Sequence, residues 1–364
     1  MIEAFLSREH GDIQTAVVRL VDRLAPVVPL SSQPSLARRI AEVIACRPTA
    51  MGNSMFLRQS IIRRGTASLE QVIDGLATWV TVLFDIGNLQ QDRCRALDLK
   101  ATIPDEALTR LDRALSRSRN GSILAVPHVG SMELFAAHLK DRDFQIGFVY
   151  TIGDKPTPTE RWIYEGRSAT GGTPIAFGRR NVGAEISKIL GNGGVLILLV
   201  DLYPSVRHSG MPVRIFDAEF AYPPGPARYA RSGTLVLPGF ASRRDAEGFS
   251  MNILDPLDYR ASMPVQDAAC DFTQRLAVDI ARFTAEQPEA YWLWHPIPND
   301  PFLAVAQRQR PDLLMAVGAA VADDEAAALA VEALYPTRTA CESPEAVPAS
   351  FARALRAASG RSGA

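Results

Sequence analysis

Hydrophobic positions along the chain change texture near residue 120. Before it they recur at helical spacing. Ile13, Val17, Leu20, Val21 and Leu24 form one apolar stripe, predicting an amphipathic helix within residues 1–30. SSQPS (31–35) breaks that pattern, and Ser35 can cap a following helix. Residues 36–120 are expected to be mostly helical, with breaks near RPTAMGN and at TIPDEA; Leu69–Leu89 is apolar at helical intervals and includes Trp79.

From residue 122 the pattern alternates. SILAVP (122–127) is a short apolar run, the mark of a buried strand, and a helix is expected over Ser131–Lys140. FQIGFVYT (144–151) is the next strand, GDKPTPTERW a Pro- and Thr-rich loop, and 181–191 a helix. GGVLILLVD (193–201) is the clearest strand of all and ends on an acid. Residues 202–226 are expected to be an irregular Pro/Gly-bearing stretch. Strands follow at 233–243 and 250–256, and a long helix at Gln266–Glu286. Strand–helix alternation predicts an α/β fold, a largely parallel central sheet flanked by helices, with its chemistry at the carboxyl ends of strands. The expected division is an N-terminal helical region (1–120), an α/β domain (121–310) and an Ala-rich C-terminal tail (311–364). That tail should carry one helix over Asp312–Leu334.

Composition narrows the class. Of 364 residues, 47% are hydrophobic and 22% charged, an ordinary globular balance. A net charge of −1 argues against a nucleic-acid partner. Cys46, Cys94, Cys270 and Cys341 are widely separated, so no metal site or redox pair is expected, and a reducing cytoplasmic setting fits. MIEAFLSREHGDIQ lacks the pattern of a secretory signal. The longest unbroken apolar run, Val195–Val200, is far below the roughly 20 residues that span a bilayer. The expectation is a cytoplasmic protein without a transmembrane segment, with room for peripheral contact at the inner membrane.

Among the histidines, His128 stands between a strand and a helix, beside Gly130, with Glu133 in the helix's first turn. A carboxylate on one imidazole nitrogen fixes the tautomer and leaves the other as a base. A helix N-terminus there offers N–H groups to a developing oxyanion. Spacing alone is not decisive, because His138 with Asp143 and His295 with Asp300 repeat it. His138 reads as a packing or surface residue, and His295, near Trp292 and Trp294, as structural. Taken alone, His128 fits a structural histidine as well as a catalyst. Asp201 at the end of a buried strand needs a partner; it orients a catalytic group, binds acceptor, or serves as a cap or salt bridge. Arg179, Arg180 and, with a weaker claim, Lys155 are candidates to hold a phosphate or steady charge; a solvated surface role is the alternative. The elbow serine, the phosphate loop and the dinucleotide-binding glycines have no match in the sequence.

Residues 122–298 resemble the late acyltransferases of lipid A biosynthesis, of the lauroyl/myristoyl type. SILAVPHVGSMEL is similar to that family's strand and His-four-residues-Glu motif. GNGGVLILLVDLYP is similar to its Gly-rich turn, apolar strand and aspartate. MPVRIFDAEFAYPPGPARYARSGTLVLPGFASRR and DFTQRLAVDIARFTAEQPEAYWLWH follow its later segments in order. The resemblance implies an acyltransferase with His128 as general base and Glu133 as its orienting partner. It sets Lys155, Arg180 and Asp201 at family positions, and with Gly130 and Arg179 from the residue reading these are the candidate substrate-binding positions. It implies no metal or cofactor, with an acyl-CoA or acyl-carrier-protein thioester as co-substrate. The partners are then the donor's carrier and a small-molecule or lipid acceptor.

Departures from the family pattern are local. Leu202 follows Asp201 where the family has Gln, Pro296 and Ile297 replace the arginines after His295, Phe216-Asp217 replaces Phe-Gly, and Lys155-Pro156 replaces Arg-Pro. The family's N-terminal membrane helix has no counterpart in the sequence given. Loss of basic residues points to an acceptor other than a phosphorylated glycolipid. The expected reaction is direct transfer from a thioester to a hydroxyl or amine, without an acyl-enzyme. The rival readings are a thioesterase using the same dyad and a non-catalytic acyl-binding protein.

Overall fold

The computed structural model describes residues 13–45, 50–91, 101–118, 120–140, 143–151, 156–177, 181–201, 210–245, 248–292 and 301–315. The N-terminal part is helical, as its periodicity predicts. Helix α1 (Ile13–Leu24) buries Val17, Leu20 and Val21. Helices α2 (Gln33–Ala45) and α3 (Ala50–Ile62) follow. The 22-residue α4 (Leu69–Gln90) starts at a capping box, in which Ser68 and Gln71 satisfy each other's backbone N–H groups. Helix α4 has the length and composition to cross a membrane, yet 83% of its most apolar window is buried within the protein. Its apolar residues are spent on the core, where it packs against α1, α2 and α3.

The α/β part then unfolds in order. Strand β1 (Ala101–Thr102) and helix α5 (Asp105–Arg117) precede β2 (Ser122–Val126). Next come α6 (Met132–Lys140), β3 (Ile146–Thr151), α7 (Pro158–Ala169), β4 (Thr173–Phe177), α8 (Val182–Gly191) and β5 (Val195–Leu199). A hairpin of β6 (Met211–Ile215) and β7 (Ala218–Tyr222) follows, then α9 (Gly225–Arg231), β8 (Leu235–Asp245), β9 (Gly248–Ile253), α10 (Val265–Glu286) and α11 (Pro301–Gln309).

Among the described residues the main sheet has seven strands in the order β1-β9-β8-β2-β5-β3-β4. Every neighbouring pair is parallel except β8 with β9. Helices cover both faces of such a sheet, so its central strands are apolar on both sides. All five residues of β2 are buried, which explains why SILAV reads as an unbroken apolar run. Hairpin strand β6 instead alternates buried and exposed residues, because only one face packs, against α10.

The sequence expectations fail at two places. GDKPTPTERW is not all loop: Thr157 and Glu160 form a capping box and Pro158 occupies the first turn of α7. The stretch 202–226 contains the β6–β7 hairpin, whose turn residues Phe216 and Asp217 have φ of 51° and 60°. These positive angles suit a tight two-residue hairpin turn, but Phe-Asp gives no glycine signal for one. Of the helix expected over Asp312–Leu334, residues 311–315 are helical and the rest lie outside the described residues.

Gly121 fixes the start of β2. Its φ is +55°, and an added Cβ would meet Leu190 O at 2.9 Å and Gly194 O closer still. Gly121→Ala is therefore expected to destabilise the protein by more than about 1 kcal/mol. Gly183→Ala, in α8 with nothing within 4 Å of the added Cβ, is expected to be neutral or stabilising. Urea unfolding midpoints of the two variants check the contrast.

Candidate functional site

The central pair of strands determines what faces what. β2 and β5 run parallel in register from Ser122↔Val195 to Val126↔Leu199. The ladder continues one step further, where Val200 N–H donates to Val126 O at 3.1 Å. Two residues beyond the last pair on each strand come His128 and Asp201, separated by the same 73 positions as Val126 and Leu199. Strand register alone thus sets the acid beside the imidazole.

The contact uses both carboxylate oxygens. Asp201 Oδ2 accepts the His128 backbone N–H at 2.6 Å, and Oδ1 lies 2.7 Å from His128 Nδ1. Asp201 is fully buried and His128 only 4% exposed. A buried acid without partners costs several kcal/mol; here two hydrogen bonds offset that desolvation. An ionised carboxylate only accepts, so the proton of a neutral imidazole belongs on Nδ1. Nε2 is then the basic nitrogen.

A strap from the C-terminal half of the fold fixes the loop carrying His128. Trp292 N–H donates to His128 O at 3.1 Å, and Gly130 N–H donates to Ala290 O at 2.9 Å. Trp292 Nε1–H donates to Gly130 O at 2.7 Å, and the indole meets the imidazole edge-on at 5.1 Å between centroids. Gly130 has φ +59°, which a glycine adopts without strain. Its amide is engaged by Ala290, so the contribution of Gly130 is the turn that carries His128. The strap is itself anchored: Gln59 Nε2 donates to Pro288 O at 2.6 Å, and Arg63 pairs with Glu289 at 2.9 Å.

Glu133, expected to orient His128, is engaged by a different residue. Arg167 Nε donates to its Oε1 at 3.1 Å, and both side chains are almost wholly buried. The carboxylate found on His128 Nδ1 is Asp201. Non-local strand pairing, rather than the five-residue spacing, decides which acid reaches the ring. Arg167 lies over the faces of Phe148 and Tyr150, with Cζ 5.1 Å and 6.0 Å from the ring centroids. GDKPTPTERW has the composition of a loop and gives Arg167 no helical context; the Thr-x-x-Glu signature at 157–160 is the signal that locates the helix. Among the described residues, Glu133 Oε2 and Ser131 Oγ are buried without a hydrogen-bond partner. Such groups are few in folded proteins.

Other candidates resolve less. Lys155, Arg179 and Arg180 lie outside the described residues, as does His295. His138 is buried within α6, in keeping with a packing role.

The Glu133–Arg167 pair yields a stability test. Glu133→Leu strands a buried guanidinium and Arg167→Met strands a buried carboxylate, each costing about 3–5 kcal/mol. The double variant is expected to cost less than the sum by about 1–3 kcal/mol. Urea denaturation of the two single variants and the double variant measures that coupling.

No curated protein matches the chain. A family model described as bacterial lipid A biosynthesis acyltransferase matches residues 66–297. The matched span takes in α4, the whole main sheet, His128, Glu133 and Asp201, and it is more than half of the chain. The chain belongs to the bacterial lipid A biosynthesis acyltransferase family.

Proposed function

We propose that this protein transfers an acyl group from a thioester, on coenzyme A or a carrier protein, to a hydroxyl or amine, with His128 as general base. Acyl transfer is the chemistry of its family. The observation that carries the residue assignment is the bond between His128 Nδ1 and Asp201.

The steps follow from that bond. The acceptor's hydroxyl or amine approaches His128 Nε2. As its oxygen or nitrogen attacks the thioester carbonyl, Nε2 takes the proton, and Asp201 stabilises the imidazolium that forms. The carbonyl electrons move onto oxygen. Their return breaks the carbon–sulfur bond, the thiolate leaves, and the imidazolium returns its proton to sulfur. The products are an ester or amide and the free thiol of the carrier.

Glu133 and Arg167 are assigned a positioning role. Glu133 sits on the first turn of α6, directly after the His128 loop, and Arg167 ties that turn to α7 and β3. Ser131 Oγ and Glu133 Oε2, close to His128 in sequence, are buried polar atoms whose hydrogen-bonding capacity the protein leaves unused. The absence of an elbow serine from the sequence fits transfer without an acyl-enzyme. The acceptor is expected to be a lipid or small molecule.

His128→Gln is expected to lower transfer by about 10²–10⁴-fold while the protein stays folded. Asp201→Asn is expected to act in the same direction on kcat, because its amide offers the ring a donor and favours the wrong tautomer. Steady-state kinetics with an acyl thioester and acceptor, alongside circular dichroism of each variant, tests both. Full activity in the folded His128→Gln variant rules out this assignment. Release of free fatty acid at the full rate without acceptor identifies hydrolysis instead.

A further inference from the structure

A groove away from the imidazole has the chemistry of an anion site. It has a volume of about 760 Å³ and lies between the end of α3, the β6–β7 hairpin and the C-terminal half of α10. Ile62, Ile215, Phe216, Val278 and Ala281 supply an apolar floor. Arg63, Arg64, Arg214 and Arg282 supply the polar lining, against a single lining carboxylate, Asp217.

The charges are unevenly paired. Arg64 pairs with Asp217 at 3.1 Å and Arg63 with Glu289 at 2.9 Å. Arg282 reaches Asp279 at 3.8 Å, with its side chain 63% exposed. Arg214 stands opposite Glu219 in the hairpin register, and no ion pair within 4.0 Å joins them. Arg214 and Arg282 are thus the guanidiniums with most capacity for an outside anion. Backbone strain gathers at the same place: Arg64, Phe216 and Asp217 all have φ above +50°. Residues held in this region recur at ligand sites.

One wall of the groove lies close to the candidate active site along the chain. Pro288 lines it, and four residues further along the same strap Trp292 touches the imidazole. Four extended residues span at most roughly 14 Å. A pantetheine arm covers that span, with a phosphate at one end and sulfur at the other.

We propose that Arg214 and Arg282 bind the phosphate at the carrier end of the acyl donor's pantetheine arm. This rests on the reading of the protein as a thioester-dependent acyltransferase. Coenzyme A and carrier proteins share that phosphate, and arginine suits it because the guanidinium fork matches phosphate oxygens. The apolar floor accommodates the geminal dimethyl end of the arm.

The test compares pantetheine 4′-phosphate with pantetheine by calorimetry. The intact protein is expected to bind the phosphate form about tenfold or more tightly. In the Arg214→Ser/Arg282→Ser double variant that preference is expected to collapse, and in Arg214→Lys to survive in part. Kinetics with acyl-CoA and acyl-carrier protein then identify the source, as the donor whose KM rises more. No preference in the intact protein, or one unchanged in the double variant, overturns the proposal. So does a loss confined to Arg179→Ser/Arg180→Ser. A groove-dependent preference without turnover of any thioester leaves the site standing and removes the transferase reading.

Discussion

The account depends on one buried contact, the carboxylate of Asp201 against the ring and backbone of His128. Both distances are below 2.8 Å and neither residue has appreciable exposure. Such a contact has two consequences. It satisfies an acid that would otherwise be expensive to bury, and it assigns the imidazole proton to Nδ1. The first ties the backbone of the loop after β2 to the end of β5, and the second leaves Nε2 as the base. Parallel pairing of β2 with β5 produces the contact, because the two residues sit at the same register step beyond the sheet. Stability and chemistry at this site therefore share a cause.

Around that contact the fold places two supports. The strap from Pro288 to Trp292 holds the His128 loop through three backbone or indole hydrogen bonds. The Glu133–Arg167 pair holds the next turn of the chain to α7 and β3. A buried ion pair adds little net stability over an apolar replacement. Its presence on the turn after the His128 loop is better explained by positioning, since Arg167 is fixed by two aromatic faces as well as by the carboxylate. Arg63 belongs to both the strap's anchor and the arginine-lined groove, so the groove and the imidazole are parts of one connected framework.

Much of this architecture is legible in the sequence. SILAVP and GGVLILLVD declare buried parallel strands because both faces of each are covered. His128 and Asp201 declare themselves by standing at the ends of those strands. The pairing between them is not legible, since the order of strands in the sheet is a long-range property that no local pattern encodes. The spacing from His128 to Glu133 is local and visible, and it suggests a contact that sheet geometry gives to Asp201 instead. Helix α7 hides behind prolines and threonines that resemble a loop, although Thr157 and Glu160 mark its start. The β6–β7 hairpin hides because Phe216 and Asp217 take positive φ without a glycine to announce it.

The most direct measurement is the protonation state of the His128 ring by long-range ¹H–¹⁵N NMR, with the signal assigned through the His128→Gln variant. At a pH where the ring is neutral, the account predicts a proton on Nδ1 and an unprotonated Nε2. A neutral ring with its proton on Nε2 contradicts it.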